Sequence, residues 1–245
     1  MGPTTAILVR VGIDASSGNW NAPADPLTRE FVYVPIPEVC QLRPGCAVSY
    51  GEILPALEAF CVRRNLDLTS DLRFPPALHD AAAHLDPDFD HLTYGDDGGR
   101  RGSQIALCRR GDLLVFYAGM RSVADGRLVY GLVGLLTVDD VVPVTEVPQR
   151  RVDENAHTRR LNPSPTEIVV RGVAGQSGRF DRYVPIGEWR SGSYRVRRDL
   201  LDEWGGLAVR DGFIQRSGRP PRFLEPRRLR EWLDLQELAL MERNN

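Results

Sequence analysis

The feature that most constrains the fold is a pair of apolar runs joined by a turn. Leu113–Ala118 and Leu128–Val138 are rich in aliphatic and aromatic residues, and Asp125-Gly126 stands between them. An Asp-Gly pair between two such runs is a strong local signal for a tight turn, because glycine adopts positive φ without steric cost. The two runs are therefore predicted to pair as an antiparallel hairpin.

The rest of the chain mixes short strands with a few helices. Thr5–Val11 is apolar and predicts a buried first strand. Ser49 and Glu52 have the spacing of a capping box and predict a helix that ends near Arg64-Asn65. Pro226–Met241 predicts a C-terminal helix with proline in its first turn. Because regular crossover helices do not separate the strands, the pattern indicates an α+β fold with a mainly antiparallel sheet.

The charge is distributed unevenly along the chain. All 31 basic residues are arginine, and the net charge is −2. Residues 1–149 carry 12 arginines against 19 acidic residues, whereas residues 150–245 carry 19 against 14. Arginine in place of lysine throughout is typical of a GC-rich genome, but the asymmetry indicates a basic half that faces a polyanion. We expect a single domain, residues 1–245, with a core of about residues 1–150 and a basic extension of about residues 151–245 packed on it.

Composition also limits location and redox chemistry. No apolar run approaches the roughly 20 residues that span a bilayer, and the N-terminus has no leader-like pattern. The expectation is a cytoplasmic protein without a membrane partner. The four cysteines form no Cys-x-x-Cys pair, which predicts mostly buried thiols, with a metal site at Cys40 and Cys46 as the less favoured alternative.

Histidines and aspartates cluster in the middle of the chain. His84, Asp86 and Asp88 are the candidate catalytic residues, within a longer polar stretch that also contains His79 and His91. Imidazole and carboxylate groups bind catalytic metals or transfer protons, so a divalent metal, a hydrogen-bonded pair of His84 and Asp86 without metal, and a solvated loop are all open. The hydrogen-bonded site is the favoured interpretation, with no metal or other cofactor assigned.

A second candidate site follows the first strand. Arg10, Gly12, Asp14 and Ser16 stand at the strand end, where backbone N–H groups and a hydroxyl group can bind phosphate. The alternative is a simple Asx or Ser turn.

Four more residues are candidate ligand contacts. Gln104 and Arg121 are expected to read base edges or phosphate, and Tyr117 lies on the hairpin strand that would form one wall of a base pocket. His157 stands in a basic polar loop, where it would contact phosphate or act as an acid, unless the loop is only surface.

With these motifs in view, the chain resembles the nucleotide-modification-associated domain proteins, specifically the third family of that series. The resemblance covers the first half well and the second half loosely, through Asn155-Ala156-His157 and later tryptophans. It implies a setting in systems that make or handle modified nucleobases. The motifs that carry it are Leu8–Ser16, Val34–Pro37, His84–Asp88, Gln104 and Gly111–Phe116.

A weaker resemblance is to the PUA-like group, including its EVE and YTH members. It rests on Gly111–Phe116 and the glycine-rich strand Tyr130–Leu135. Those modules hold a modified base in a pocket on a small barrel, so the resemblance implies a PUA-like small barrel or curved sheet with flanking helices.

Three functional hypotheses follow. The first is recognition of a modified nucleobase or nucleotide, with Arg10, Asp14 and Ser16 beside the His84–Asp88 segment. The second is an enzyme of nucleotide modification that uses the same histidine and aspartates, with or without a metal. The third is a structural subunit of a modification or defence system. In each, nucleic acid or a nucleotide is the expected partner.

Overall fold

The computed structural model of the chain describes residues 2–16, 19–67, 72–99, 102–215 and 219–245. These residues form twelve strands and four α-helices. The strands are β1 (Ala6–Arg10), β2 (Pro23–Ala24), β3 (Ile36–Pro37), β4 (Ala83–His84), β5 (Thr93–Asp97), β6 (Leu113–Ser122), β7 (Leu128–Pro143), β8 (Glu167–Gly172), β9 (Gly178–Pro185), β10 (Gly187–Arg190), β11 (Ser193–Val196) and β12 (Leu240–Met241), and the helices are α1 (Tyr50–Arg63), α2 (Pro76–His79), α3 (Arg198–Trp204) and α4 (Pro226–Asp234).

One mixed sheet organises the described chain. Its strand order is β1-β6-β7-β8-β5, with β2 also beside β6, β9 also beside β7, and β12 beside β9. Most pairs are antiparallel, whereas β1 and β2 run parallel to β6. Two further pairs, β3 with β4 and β10 with β11, lie outside this sheet. The predicted α+β class with a mainly antiparallel sheet is confirmed.

The predicted hairpin is the centre of the sheet. Strands β6 and β7 pair antiparallel, and Gly126 in the turn has φ +70°. Side chains of β6 alternate between two hydrophobic clusters, with Leu114 and Phe116 in one and Leu113 and Val115 in the other. Because both faces of the strand are covered, the run is continuously apolar rather than alternating.

Of the two expected architectures, a small barrel or a curved sheet, the barrel is wrong, because the described strands form a sheet that does not close. The outer edge of β1 is occupied by a later segment of the chain: the Leu8 N–H donates to the Pro221 carbonyl at 2.8 Å, and the Phe223 N–H donates to the Ala6 carbonyl at 2.9 Å. A closed barrel would require β1 to pair with β5, which lies at the other end of the strand order. The edge of β1 is instead paired with residues 221–223.

The two predicted helices differ in how well their observed ends match the predicted ones. Helix α1 begins after Ser49, whose N–H donates to Glu52 Oε1 at 2.8 Å, as the capping-box spacing predicts. The C-terminal helix, predicted to reach Met241, ends at Asp234, because Leu240–Met241 instead pair with β9 as strand β12. Within the described ranges, no helix has the length and apolar character needed to cross a membrane.

Candidate metal centre

Two segments from distant parts of the chain meet beside the sheet. One runs from β4 into β5 and carries His84 and Asp86, and the other is the loop of residues 153–161, which carries His157. Pairing of β3 with β4 places Ile36 opposite His84, so that Glu38 lies just beyond β3 and beside the imidazole. Tertiary structure thus brings His84, Asp86 and His157 together, and we call them the His-Asp-His cluster.

The three side chains surround a common space without hydrogen bonds between them. Nε2 of His84 lies 3.9 Å from Asp86 Oδ2, and Nε2 of His157 lies 3.8 Å from the same oxygen. One ligand atom from each residue lies within 4.8 Å of the other two. These separations are too long for hydrogen bonds. The side chains are only 10%, 7% and 9% exposed, in chain order, so the atoms are held together inside the protein.

Each imidazole has a carboxylate against its other ring nitrogen. Nδ1 of His84 lies 2.6 Å from Glu38 Oε2, and Nδ1 of His157 lies 3.2 Å from Glu167 Oε2. The His84–Glu38 pair has hydrogen-bond geometry, so a proton on Nδ1 of His84 leaves its Nε2 lone pair directed at Asp86, whereas Glu167 Oε2 accepts no hydrogen bond among the described residues. Glu38 and Glu167 are the outer carboxylates of the site.

One arginine joins the two outer carboxylates. Arg160 lies 2.9 Å from Glu167 Oε1 and 3.4 Å from Glu38 Oε1. Its Nη1 also lies 3.3 Å from Nδ1 of His157, but the Glu167 oxygen is the nearer acceptor. Burial opposes ionisation of Glu38, yet the hydrogen bond and charge of His84 hold its pKa at about 2. The pKa of Glu167 is also lowered despite its burial. Both outer carboxylates are therefore ionised.

Asp86 is fixed from the opposite side. Its Oδ1 accepts the Gly95 N–H at 2.6 Å and an Asn155 side-chain N–H at 3.0 Å. Both hydrogen bonds end on Oδ1, so Oδ2 remains directed at the imidazoles. Burial raises the pKa of Asp86, although the two histidines act against this. A cation beside Oδ2 would favour the ionised carboxylate.

Close packing requires glycine at position 95. A Cβ atom there would lie 2.3 Å from Cδ2 of His157 and 2.5 Å from Oδ1 of Asn155.

The next residue, Asp96, has its pKa raised to about 6 by burial, while Tyr94 donates a hydrogen bond to its Oδ2 at 3.0 Å. A carboxyl group of that pKa near the cluster can exchange a proton near neutral pH.

The charges of the cluster can be balanced in two ways. With both imidazoles neutral, Glu38, Asp86 and Glu167 carry three negative charges against the single positive charge of Arg160. A divalent ion would balance this excess, and so would protonation of both imidazoles. Two imidazole nitrogens and a carboxylate oxygen are donors found in catalytic Zn²⁺ and non-haem Fe²⁺ sites.

Comparison with known proteins places the chain in a family. The family model "Nucleotide modification associated domain 3" matches residues 5–209. The chain belongs to this family. All three residues of the cluster and both outer carboxylates lie within the matched residues. No curated protein and no solved structure matches the chain.

In this family member Asp88, a predicted catalytic residue, lies in a separate network. Its Oδ2 accepts from Arg159 at 2.7 Å and lies 3.2 Å from Nδ1 of His91, and its Oδ1 accepts from Asn244 at 3.0 Å. The Asp88 side chain is 1% exposed. These contacts join the 84–91 segment to the 153–161 loop and to the C-terminal residues, so Asp88 positions the segment that carries His84 and Asp86.

The first-strand residues also form their own network. Asp14 forms an ion pair with Arg10, and its Oδ1 accepts the Ser16 N–H at 2.7 Å and the Ser16 hydroxyl at 2.5 Å. Arg10 additionally donates to the Gln215 carbonyl at 2.6 Å. The arrangement is an Asx turn stabilised by an arginine, and it binds the segment at residue 215 rather than the His84–Asp86 segment. Ser17 and Gly18, the end of the predicted phosphate loop, lie outside the described residues.

The remaining predicted contacts are dispersed. The Tyr117 ring is buried and its hydroxyl donates to the Ile214 carbonyl at 2.9 Å. Gln104 borders a cavity of about 550 Å³ with Arg222, whereas Arg121 borders another of about 450 Å³.

Of the predicted buried thiols, Cys61 and Cys108 are buried, whereas Cys40 is exposed and Cys46 half-buried.

A large cleft borders the same two segments. Its volume is about 950 Å³, and Asp88, His91 and Arg159 line it together with residues of α1, β9 and the C-terminal segment. The His-Asp-His cluster and this cleft therefore share two chain segments while using different side chains. We refer to this cavity as the cleft.

Sequence reasoning did not identify Glu38, Asn155, Arg160 or Glu167. Asn155 and Arg160 stand in the same polar loop as His157, so their spacing was a usable signal. Glu38 and Glu167 are isolated acidic residues beside short strands. Their roles depend on long-range pairing of β3 with β4 and on contacts between β8 and the loop.

Proposed function

We propose that this protein is a divalent-metal-dependent enzyme acting on a nucleotide or nucleobase in a nucleotide-modification system. The observation that carries the proposal is the convergence of two imidazole Nε2 atoms on one carboxylate oxygen, each imidazole having a carboxylate against its Nδ1. Membership in the family supplies the nucleotide-modification setting.

The spacing of the donor atoms supports an ion between them. Ligand atoms about 2.0 to 2.1 Å from a tetrahedral metal lie roughly 3.3 to 3.4 Å apart. The two imidazole nitrogens lie 3.8 and 3.9 Å from the shared carboxylate oxygen, about half an ångström beyond that spacing, and all three atoms lie within 4.8 Å of one another.

The protein's own groups would hold and orient the ion. Glu38 would hold the Nδ1 proton of His84, and Glu167 would stand 3.2 Å from Nδ1 of His157. The Gly95 and Asn155 donors would keep Asp86 Oδ2 turned inward. A bound divalent ion supplies Lewis acidity, which lowers the pKa of a bound water or polarises a substrate oxygen.

Recognition of a nucleotide without turnover is the alternative. It is favoured by the cleft, whose volume of about 950 Å³ is within the range of small-molecule sites. Recognition alone requires no ion at the His-Asp-His cluster. The two functions therefore differ in their products. A metal-dependent enzyme converts the bound nucleotide, whereas a recognition protein releases it unchanged.

The first test is turnover of nucleotides by metal-loaded protein. We expect mass spectrometry to detect a metal-dependent change in at least one member of a panel of nucleosides and nucleotides with ordinary and 5-hydroxymethylated pyrimidines. His157→Ala removes one Nε2 donor and is expected to lower the rate by about 100-fold or more. His79→Ala is the matched control, because His79 is exposed.

The outcomes separate the two functions. Equal product formation in the presence of a chelator, or by the His157→Ala variant, would contradict the metal-dependent enzyme. Metal-independent binding of a nucleotide that is recovered intact would support recognition instead.

The outer carboxylates give a second prediction. Glu38 Oε1 accepts the Val39 and Cys40 N–H groups at 2.9 and 2.8 Å, while Oε2 faces His84. In Glu38→Gln the amide oxygen stays with the two backbone donors, so the amide nitrogen donates to Nδ1 of His84. The ring proton then moves to Nε2, which no longer binds metal.

We expect Glu38→Gln to weaken Zn²⁺ binding by about 10- to 100-fold. Competition against a chromophoric chelator measures the affinity, with exposed Glu58→Gln as the control. Unchanged affinity in the Glu38 variant would show that Glu38 does not set the tautomer of a metal ligand.

A further inference from the structure

The cleft contains a buried arginine without an acidic partner. Arg179 on β9 is only 7% exposed, yet it forms no ion pair with any carboxylate of the described residues. Its Nε donates to the Arg243 carbonyl at 3.4 Å, its Nη1 donates to the Phe180 carbonyl at 3.1 Å, and its guanidinium lies 5.2 Å from the centre of the Phe31 ring. Backbone carbonyls and a ring position the guanidinium but do not neutralise its charge.

A buried charge without a counterion is costly, so its environment is informative. The pKa of Arg179 is lowered to about 10, mainly by burial and also by the nearby charge of Arg243. The charge of Asp181 acts in the opposite direction. Asp181 is the nearest acidic residue in sequence, but its Oδ1 accepts the Ala239 N–H at 3.0 Å. The Asp181 carboxylate keeps its charge and acts on the guanidinium, but it forms no ion pair with Arg179.

The other acidic groups of the cleft have partners of two kinds. Glu30 forms ion pairs with Arg63 and Arg64, and Asp88 does so with Arg159. Asp90 accepts hydrogen bonds from Asn244, and Glu52 accepts the Ser49 N–H of the helix cap, so these two carboxylates are held in place but keep their charge.

A second arginine extends the cationic end toward solvent. Arg243 is exposed, and its side chain has no ion pair among the described residues. Together the two guanidinium groups offer donors from a buried and from an open position on one wall of the cleft. Planar guanidinium groups match the geometry of phosphate oxygens and bind them by charge-assisted hydrogen bonds.

We propose that Arg179 and Arg243 bind a phosphate group of a nucleotide in the cleft. This inference deepens the proposed function, since it makes the substrate a phosphorylated nucleotide rather than a free base. It stands on different residues from the His-Asp-His cluster, and phosphate binding here needs no metal. The volume of the cleft, about 950 Å³, accommodates a mononucleotide.

The test uses the whole chain, freed of metal and kept in a chelator, so that its result does not depend on the metal site. Calorimetric titration compares deoxythymidine monophosphate, thymidine and inorganic pyrophosphate. We expect the monophosphate to bind at least about tenfold more tightly than thymidine, and pyrophosphate to compete with it.

Arg179→Met keeps the apolar stem and removes the charge. It is expected to weaken monophosphate binding by about tenfold or more, and to leave the melting temperature without ligand unchanged or higher. Arg182→Met on the same strand is the control, because the Arg182 side chain donates to the Glu237 carbonyl and does not line the cleft. Arg243→Met, at an exposed position, provides a second variant should Arg179→Met fail to fold.

Three results would overturn the inference. The first is equal affinity for the monophosphate and thymidine. The second is wild-type monophosphate affinity in both the Arg179 and the Arg243 variants. The third is the absence of saturable binding of either phosphate compound at millimolar concentration. None of these results bears on metal binding at the cluster.

Discussion

Replacing Arg159 by methionine is expected to lower the free energy of unfolding by about 3 kcal/mol, the lower end of the usual range for breaking a buried ion pair. Arg159 Nη2 lies 2.7 Å from Asp88 Oδ2, and the two side chains are 7% and 1% exposed. The same nitrogen donates to the Asp153 carbonyl at 2.5 Å. The variant leaves Asp88 buried, with His91 and Asn244 as its remaining partners.

Urea denaturation followed by circular dichroism measures this loss. Arg150→Met is the matched control, since Arg150 is exposed, and we expect it to change stability by less than about 0.5 kcal/mol. A loss below about 1 kcal/mol in the Arg159 variant would mean that the remaining partners of Asp88 suffice. Because the Arg159–Asp88 pair holds the 153–161 loop against the 84–91 segment, the variant should also weaken metal binding.

Local sequence signals explain what could be predicted of the fold. The β6–β7 hairpin was predicted because an Asp-Gly turn joins two adjacent apolar runs, and the start of α1 because its capping box spans four residues. The parallel pairing of β1 with β6 was not predicted, because it joins residues more than 100 positions apart. The C-terminal helix was overextended because the pairing of β12 with β9 outweighs local helix propensity.

For the site, too, local signals could be predicted from the sequence and long-range contacts could not. His84, Asp86 and His157 were each selected as polar residues within suggestive loops, but sequence spacing does not reveal that two of these loops meet. Arg10, Asp14 and Ser16 were expected beside them, yet these three residues contact one another and the segment at residue 215.

The largest expected effect on the site comes from Asp86→Asn. We expect it to weaken Zn²⁺ binding by more than about 100-fold, because it removes the charged ligand, whereas outer partners contribute about 10- to 100-fold. The asparagine oxygen still accepts from Gly95 and Asn155 in place of Oδ1, so the metal-free variant should fold normally. Its amide nitrogen replaces Oδ2 and cannot ligate the ion.

Calorimetric titration with Zn²⁺ measures this effect, and thermal unfolding with and without Zn²⁺ verifies the fold. Asp80→Asn is the control, since Asp80 is an exposed residue just after α2. Metal binding by Asp86→Asn at wild-type affinity would show that the ion binds elsewhere.

The central claim is that His84, Asp86 and His157 share one divalent ion, and zinc K-edge X-ray absorption tests it most directly. Protein loaded with one equivalent of Zn²⁺ should show two imidazole nitrogens and a carboxylate oxygen at about 2.0 to 2.2 Å. The imidazole scattering should fall by half in both His84→Ala and His157→Ala. A spectrum of water oxygens or sulfur ligands, or imidazole scattering unchanged in both variants, would contradict the claim.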